Sequence, residues 1–167
     1  MPISCFFHRA RRVLTALFAT VLLASCDGPQ QKDPNAMLEG FSAAAIGEAQ
    51  QRVDDAISLA GETGHAEVIR RINENKEFWD GAAYVFILNA ATRTVIANPV
   101  FPALVGKHES EITDAAGNSL AALVDEAHED GAWVEYQWVN PETAKPARKV
   151  SWVKKTGDYI YGSGVYR

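Results

Sequence analysis

The stretch at residues 133–153 reads WVEYQWVNPETAKPARKVSWV. It places three of the chain's four tryptophans in two short runs on either side of a turn that two prolines bracket. Runs of β-branched and aromatic residues that alternate with polar ones are typical of strands. The stretch therefore predicts a hairpin of two strands, residues 133–139 and 148–154.

The rest of the sequence predicts helices and strands in a definite order. Apolar residues at helical spacing indicate a long helix from Met37, interrupted at Gly61 and Gly64. The remaining elements are a shorter helix at 65–78, strands at 82–90 and 94–97, an irregular loop at 98–110, a short helix at 120–127 and a last strand at 158–166.

This order predicts a mixed α/β domain of the α+β type. We expect an antiparallel sheet of about five strands with the long helix packed on one face. The loop and the short helix then form a lid on the other face. One face of the sheet is sealed, and the other has an irregular cover.

The N-terminal residues predict secretion and a lipid anchor. A basic cluster, HRARR at 8–12, precedes an uncharged apolar run at 13–23, which has the length of a signal-peptide core and is too short to span a bilayer. LASC at 23–26 resembles the bacterial lipobox, in which the cysteine is diacylated and heads the mature chain. We therefore predict a signal peptide over 1–25 and lipidation of Cys26; an ordinary secretory signal with a chance cysteine is the alternative.

The segment after this cysteine indicates how the domain is attached. Residues 26–36 are polar and contain two prolines, as in a flexible tether. Lipid chains on a free N-terminus anchor a protein without spanning the membrane. Asp27 resembles the inner-membrane retention signal of enterobacterial lipoproteins, so we expect the domain on the periplasmic side of the inner membrane.

Composition excludes several classes of function. The formal net charge is −5, and loss of the predicted signal removes three arginines, so the mature domain is more acidic still. No basic, aromatic-interleaved stretch suggests nucleic acid binding. Cys5 falls in the signal and Cys26 at the lipidation site, which leaves no thiol for a disulfide, a zinc site or a nucleophile.

Five motifs in order resemble the single Cache domain of bacterial extracellular sensors. They are FWDGAAYVFILNAATRTVIANPVFPALVGK at 78–107, DAAGNSL at 114–120, GAWVEYQWVNP at 131–141, KVSWVK at 149–154 and GSGVY at 162–166. The resemblance implies a PAS-like α/β fold over residues 37–167, with a pocket of the kind that commonly holds small organic acids.

The resemblance also bears on partners. Cache domains are usually displayed outside the membrane by chemoreceptors and histidine kinases, and they typically continue from the last strand into a membrane helix and a signalling module. This sequence stops at Arg167, so we expect its message to pass to a separate membrane-bound signalling or transport protein. The long N-terminal helix is a candidate homodimer contact.

The hairpin carries the main candidate ligand-binding residues. If Trp138 pairs with Lys149, then Tyr136 meets Ser151, and one face holds two rings, a hydroxyl and a cation. A register shifted by one residue instead puts the lysine on the polar face of the first strand, in an ordinary solvated pair. The Lys-x-Ser element recurs in Cache domains, so the resemblance favours the first register.

These residue types suit a small carboxylate. A carboxylate sheds water on binding, which is favourable only if several donors replace that water. A lysine ammonium, a tyrosine hydroxyl and an indole N–H all donate. Tyr84 adds a second candidate hydroxyl. Asn98 precedes Pro99 where related domains often carry His-Pro, and it replaces a titratable ring with an amide.

Other apparent sites have simpler explanations. Asp125, His128 and Glu129 have metal-ligand spacing on a helix, but we interpret them as a solvated face. GSG at 162–164 lacks the third glycine of a dinucleotide loop; it predicts instead that a neighbouring segment approaches the last strand closely. Without a nucleophile beside a base, a good metal set or a cofactor loop, we expect neither an enzyme nor a cofactor.

These features predict a lipid-anchored periplasmic domain that senses a small carboxylate such as pyruvate, acetate or lactate and passes its ligand state to a separate membrane protein. The alternative is an interaction module with a vestigial pocket, which modulates a membrane kinase, chemoreceptor or transporter through its surface. A thermal melt with candidate ligands separates the two.

Overall fold

The computed structural model describes residues 33–167, and the predicted signal peptide, Cys26 and most of the predicted tether lie outside the described residues. The α-helices are α1 (Pro34–Leu38), α2 (Ala43–Thr63), α3 (His65–Arg70) and α4 (Ala122–Asp125). A π-helical turn, Arg71–Asn75, extends α3. Within residues 33–167, none of the helices has the length and apolar character needed to cross a membrane.

The long helix begins later than the sequence predicts. Gly40 adopts φ +85° between α1 and α2, so the apolar run at the start of the domain is two helices rather than one. The Ser42 hydroxyl then caps α2 by accepting a hydrogen bond from the Ala45 backbone N–H at 3.1 Å. The predicted break at Gly64 is confirmed, since this residue joins α2 to α3 at φ +89°. Gly61 lies inside α2 and does not interrupt it.

The strands form one antiparallel sheet. They are β1 (Trp79–Asp80), β2 (Ala83–Asn89), β3 (Thr94–Ala97), β4 (Ala132–Asn140), β5 (Lys145–Thr156) and β6 (Tyr159–Tyr166). The order across the sheet is β1-β2-β6-β5-β4, and β3 pairs with β2. The five predicted strands are confirmed, and the two-residue β1 is additional. The last strand of the chain, β6, therefore lies in the middle of the sheet.

The predicted register of the β4–β5 hairpin is wrong by two residues. Lys149 lies opposite Tyr136 rather than Trp138, and Ser151 lies opposite Val134. Side chains alternate between faces with a period of two, so a shift of two residues leaves each side chain on its predicted face. The rings, the hydroxyl and the cation therefore still share one face of the sheet.

The turn explains the observed register. The predicted pairing would set Pro141 opposite Pro146 in the ladder, although proline has no N–H to donate. In the structure the two strands close at Asn140 and Lys145. The Asn140 carbonyl accepts a hydrogen bond from the Ala144 N–H at 2.8 Å, which tightens the loop.

Both faces of the sheet are buried, as the sequence predicts. Helices α2 and α3 cover one face, where they contribute Val53, Ala56, Ala60 and Val68 to a core shared with Val85, Ile87 and Tyr161. Residues 98–128, which we call the lid, cover the other face. The lid contributes Ile112, Leu120, Leu123 and Ala127 to a core shared with Tyr84, Phe86, Leu88, Val134 and Val153.

Asp114 fixes the lid to the edge strand β4. One carboxylate oxygen accepts a hydrogen bond from the Gln137 backbone N–H at 3.1 Å. The other accepts from the backbone N–H groups of Ala116 and Asn118 at 2.9 and 2.8 Å. Burial favours the protonated acid, but these hydrogen bonds outweigh burial and lower the pKa of Asp114. The lid is thus held at its middle by an ionised carboxylate.

Candidate functional site

Lys149 lies at the centre of the candidate site. It is in β5 with 1% of its surface exposed, and its Nζ donates a hydrogen bond to the Tyr84 hydroxyl at 2.9 Å. Four rings surround this nitrogen, with centroids 4.2 Å (Tyr84), 4.9 Å (Tyr166), 5.3 Å (Phe86) and 5.7 Å (Tyr136) from it. These four rings are the aromatic box.

Lys149 has no carboxylate partner in the described part of the chain. None of the ion pairs within residues 33–167 includes it. Burial penalises its charged form and lowers the pKa of Lys149 well below the ordinary value of 10.5. Buried charges in proteins are normally paired, because an isolated one is costly. An anion beside Nζ would favour the charged form again.

Hydroxyl groups surround the same lysine. The Tyr84 and Tyr166 hydroxyls lie 3.3 Å apart, and the Tyr136 hydroxyl lies 2.8 Å from Ser151 Oγ. Burial raises the pKa of all three tyrosines, that of Tyr166 to about 12. These hydroxyls therefore stay protonated at neutral pH and can donate to a ligand.

Two residues of the box are missing from the sequence-based prediction. Phe86 follows Tyr84 by two positions in β2. The alternation of side chains along a strand therefore puts both rings on the same face, which is the signal that identifies Phe86. Tyr166 lies directly opposite Lys149 between β6 and β5. That neighbour depends on the register of a strand pair, which the sequence does not determine.

Two glycines of β6 make room for this cluster. A Cβ on Gly164 would overlap the Ser151 hydroxyl and would lie 2.7 Å from Lys149 Cε. A Cβ on Gly162 would overlap the Phe86 ring. The prediction that GSG admits a close neighbour is confirmed, since these side chains lie directly on the strand.

A cavity of about 30 Å³ lies under the lid beside the box. Its lining is mostly apolar and includes two predicted residues of the hairpin, Tyr136 and Trp138. Trp138 meets Phe101 of the lid edge-on, with ring centroids 5.7 Å apart. Tyr136 belongs to both the cavity wall and the box, and through it the cavity adjoins the remaining predicted residues of the cluster, Lys149, Tyr84 and Ser151.

Asn98, the last predicted residue, lines the cavity but also holds the lid backbone. Its side-chain oxygen accepts hydrogen bonds from the backbone N–H groups of Val100 and Phe101 at 3.1 and 2.8 Å. Its own backbone N–H donates to the Asn73 side chain at 3.1 Å. Both lone pairs of the amide oxygen are therefore engaged, so Asn98 offers a ligand only N–H donors.

Glu109 is a polar residue of the cavity that sequence reasoning missed. It begins the 3₁₀ turn Glu109–Glu111 in the lid and is 5% exposed. Arg93 donates to its Oε1 at 2.9 Å and also pairs with Asp125 at 2.8 Å. Its Oε2 is enclosed and has no hydrogen-bond partner among the described residues. A single glutamate in a polar loop carries no periodic signal, so no sequence pattern distinguishes Glu109 from its neighbours.

The helix predicted at 120–127 is shorter in the structure. It ends at Asp125, because the chain then turns towards β5, where the His128 carbonyl accepts from the Lys155 N–H at 2.9 Å. Asp125 is paired with Arg93, and His128 and Glu129 do not continue its helical face. In residues 33–167 no group of three His, Cys, Asp or Glu side chains is arranged to hold a metal ion.

Comparison with known proteins identifies relatives of this fold. Residues 42–166 match the sequence profile of the family described as Single Cache domain 2. A methyl-accepting chemotaxis protein from Vibrio parahaemolyticus aligns with a TM-score of 0.60 at 18% identity, over 74% of this chain and 88% of that chain. No curated protein sequence matches significantly.

Two further solved structures are similar. A Cache chemosensory domain described for its recognition of carboxylic acids aligns with a TM-score of 0.56 at 22% identity, over 81% of this chain and 99% of that one. A periplasmic sensor domain of a chemotaxis protein aligns with a TM-score of 0.54 at 26% identity, over 74% of this chain and 90% of that one. The shared feature is a helix-backed antiparallel sheet with a PAS-like arrangement.

Proposed function

Because this chain belongs to the Single Cache domain 2 family, a family of sensory domains, we propose that it binds a small organic acid and reports its presence to a membrane protein. The observation that carries the proposal is Lys149. This lysine is buried within the aromatic box, and no carboxylate of the described residues pairs with it.

A bound carboxylate would supply the anion that Lys149 lacks. A hydrogen bond between an ammonium and a carboxylate contributes roughly 1.5–3 kcal/mol. The hydroxyls of Tyr84, Tyr136 and Tyr166 are donors available to the second carboxylate oxygen. The rings of the box keep water from this pair, which strengthens it.

Among the structural neighbours, the Cache chemosensory domain that recognises carboxylic acids supports the same ligand class. At 22% identity its likeness establishes a common fold. The ligand class proposed for this chain therefore rests on Lys149 and the hydroxyls around it. The sensory role rests on the family.

Entry of an acid requires the lid to move. A water-sized occupant needs roughly 10–15 Å³, so the cavity of about 30 Å³ accommodates about two such groups. A three-carbon acid has about six heavy atoms and needs more space. Leu104 and Trp138 line both this cavity and an apolar surface groove. Displacement of Leu104 would join the two and open a path to solvent.

The domain is attached to the periplasmic side of the inner membrane by lipid on Cys26 and acts through a separate membrane signalling or transport protein. The lipobox-like sequence at 23–26 and Asp27 after it support this attachment. Mass spectrometry of the native mature protein tests it. An acylated N-terminal Cys26 is the expected result, and an unmodified N-terminus at another residue contradicts it.

A thermal-melt screen tests the proposed function. The compounds are C2 to C5 mono- and dicarboxylates, amino acids and amines. A ligand at a hundredfold excess over its Kd adds about 2.7 kcal/mol to the free energy of unfolding, which raises the Tm of a domain this size by several degrees. We expect such a shift from a small carboxylate and none from simple amines. Absence of a shift with every compound contradicts the proposal and favours the interaction module.

A further inference from the structure

Glu109 is held in one orientation at the wall of the cavity. Its backbone N–H donates to the Arg93 carbonyl at 2.9 Å, and its Oε1 accepts from Arg93 Nε at 2.9 Å. Arg93 is itself tied to Asp125 at 2.8 Å. These two contacts to Arg93 orient the carboxylate so that Oε1 is bonded to the arginine and Oε2 is not.

Oε2 is an acceptor without a donor. Among the described residues it is the one enclosed side-chain nitrogen or oxygen without a hydrogen-bond partner. Buried polar atoms in proteins are nearly always bonded, and each exception calls for an explanation. Glu109 lines the cavity, so the group best placed to satisfy Oε2 is an occupant of that cavity.

The other polar side chains that line the cavity are not free acceptors. The Asn98 oxygen is already an acceptor for two backbone N–H groups. The Tyr136 hydroxyl oxygen lies 2.8 Å from Ser151 Oγ and can accept its proton, which leaves Tyr136 as a donor rather than an acceptor. Most of the remaining lining is apolar, including Phe86, Leu88 and Leu120. Glu109 is therefore the acceptor that the cavity presents to a ligand.

We propose that the acid bound by this domain also carries a hydrogen-bond donor, a hydroxyl or an ammonium group, which Glu109 accepts. The inference rests on the proposed function, because it adds a second contact to the same ligand. A carboxylate or a keto oxygen has no proton to donate to Oε2. Glu109 therefore selects hydroxy acids or amino acids over simple acids, keto acids and dicarboxylates of similar size.

Matched ligands of one size test the inference without any change to the protein. Propionate, lactate and alanine share three carbons and differ in the group next to the carboxylate. Calorimetric titration of the wild-type domain measures the affinity for each. We expect lactate or alanine to bind about 10- to 150-fold more tightly than propionate, the ratio typical of a hydrogen bond to a charged group. Pyruvate should bind no better than propionate.

The variant Glu109→Gln distinguishes the two donors. Its amide oxygen can keep the Arg93 contact, so the amide nitrogen then faces the cavity and offers a donor. An ammonium cannot pair with that donor, so alanine should lose its full advantage over propionate. A hydroxyl can also accept, so lactate should keep part of its advantage. Affinity for propionate should stay within about threefold, because propionate makes no bond to this residue.

Asp125→Asn is the matched control. It removes a carboxylate that pairs with the same arginine but is largely exposed and lies outside the cavity lining. Ligand discrimination should be unchanged. If both variants lost the same amount of ligand discrimination, the cause would be the charge around Arg93. That result would contradict a direct contact between Oε2 and the ligand.

The outcomes separate this inference from the proposed function. If propionate binds as tightly as lactate and alanine, and Glu109→Gln changes nothing, the donor inference fails while carboxylate binding stands. Oε2 would then be satisfied by water alone. If no acid binds, both proposals fail. Preference for a donor-bearing acid in the wild type, reduced in Glu109→Gln and kept in Asp125→Asn, supports the inference.

Discussion

The ligand class proposed for the site rests on Lys149, because no carboxylate of residues 33–167 forms an ion pair with this lysine. Among the described residues its Nζ donates to the Tyr84 hydroxyl at 2.9 Å and lies over the surrounding rings. Rings stabilise a cation weakly in comparison with a carboxylate. Burial therefore disfavours the charged form of the lysine, and an anion beside Nζ would offset that cost.

The lowered pKa of Lys149 predicts a pH dependence of stability. The unfolded chain holds this proton up to about pH 10.4, whereas the folded state releases it well below 10.5. Between the two pKa values the unfolded state binds more protons, so stability rises with pH, by at most about 1.4 kcal/mol per pH unit.

Urea unfolding of the wild type and of Lys149→Met between pH 7 and about pH 9.5 measures this effect. The stability difference, wild type minus variant, should increase with pH, because the methionine does not titrate. Measurement stops there because the buried tyrosines have raised pKa values and lower the stability at higher pH in both proteins. Parallel curves for the two proteins would show that Lys149 is not perturbed by burial.

The sequence predicts which side chains share a face within one hairpin, but it does not predict contacts between side chains from distant segments. Tyr136, Trp138 and Lys149 do share a face, because the alternation of a strand is a local property. Glu109 is buried only when the lid folds onto the sheet and Arg93 reaches it. That contact depends on tertiary structure and leaves no pattern in the sequence.

Strand β6 is the element that makes the box possible. Its neighbours β2 and β5 place large side chains over its two central glycines, and the site has no room for further atoms there. Because Gly162 and Gly164 have no side chains, the sheet gains depth on the lid side at these two positions of β6. The polar cluster occupies that depth.

Gly164→Ala should disrupt this packing. The new Cβ would lie 2.6 Å from the Val150 backbone carbonyl and 2.7 Å from Lys149 Cε, and the carbonyl cannot move aside without distorting β5. We expect a loss of about 1–3 kcal/mol in the free energy of unfolding. Urea unfolding measures it.

Gly47→Ala is the matched control for this substitution. Gly47 lies inside α2, and a Cβ there meets nothing within 4 Å. Alanine should stabilise the helix by roughly 0.5–1 kcal/mol. If Gly164→Ala were tolerated as well as Gly47→Ala, close packing on β6 would not be what positions Lys149.

Hydrophobic patterns located the strands to within a few residues and gave less reliable boundaries for the helices. The predicted start of the long helix was wrong because Gly40 separates α1 from α2. The residues before Gly40 are apolar enough that the helical pattern looks continuous. The predicted hairpin register was wrong because a shift of two residues leaves the alternation of side chains between the two faces unchanged. The placement of the prolines decides it instead.

The whole molecule is a sheet with two different covers. Helices α2 and α3 form an apolar layer on one face, whereas the lid on the other face is irregular and is held to β4 through Asp114. The order of elements predicted these layers, and the motif resemblance predicted the family. Lipidation of Cys26 and the membrane partner remain predictions from the sequence.

In the proposed binding mode the ligand touches both the sheet and the lid. An acid under the lid would contact the sheet through the box and the lid through Glu109, which lines the cavity with an unpaired Oε2. A ligand that bound this arrangement of lid and sheet more tightly than other arrangements would shift the population towards it. Under the proposed function, that shift would be a physical route from occupancy of the site to a change at the outer surface of the lid.

The most direct test of the account is calorimetric titration of Lys149→Met with the best acid from the screen, beside Lys154→Met as the control. The control removes a lysine from the same strand whose partner, Asp54, is half exposed, so its affinity for the acid should not change. Lys149→Met keeps the apolar stem and should stay folded, but its affinity should fall about 10- to 150-fold. Unchanged affinity in Lys149→Met would show that the aromatic box is packed core and that the acid, if bound, is held elsewhere.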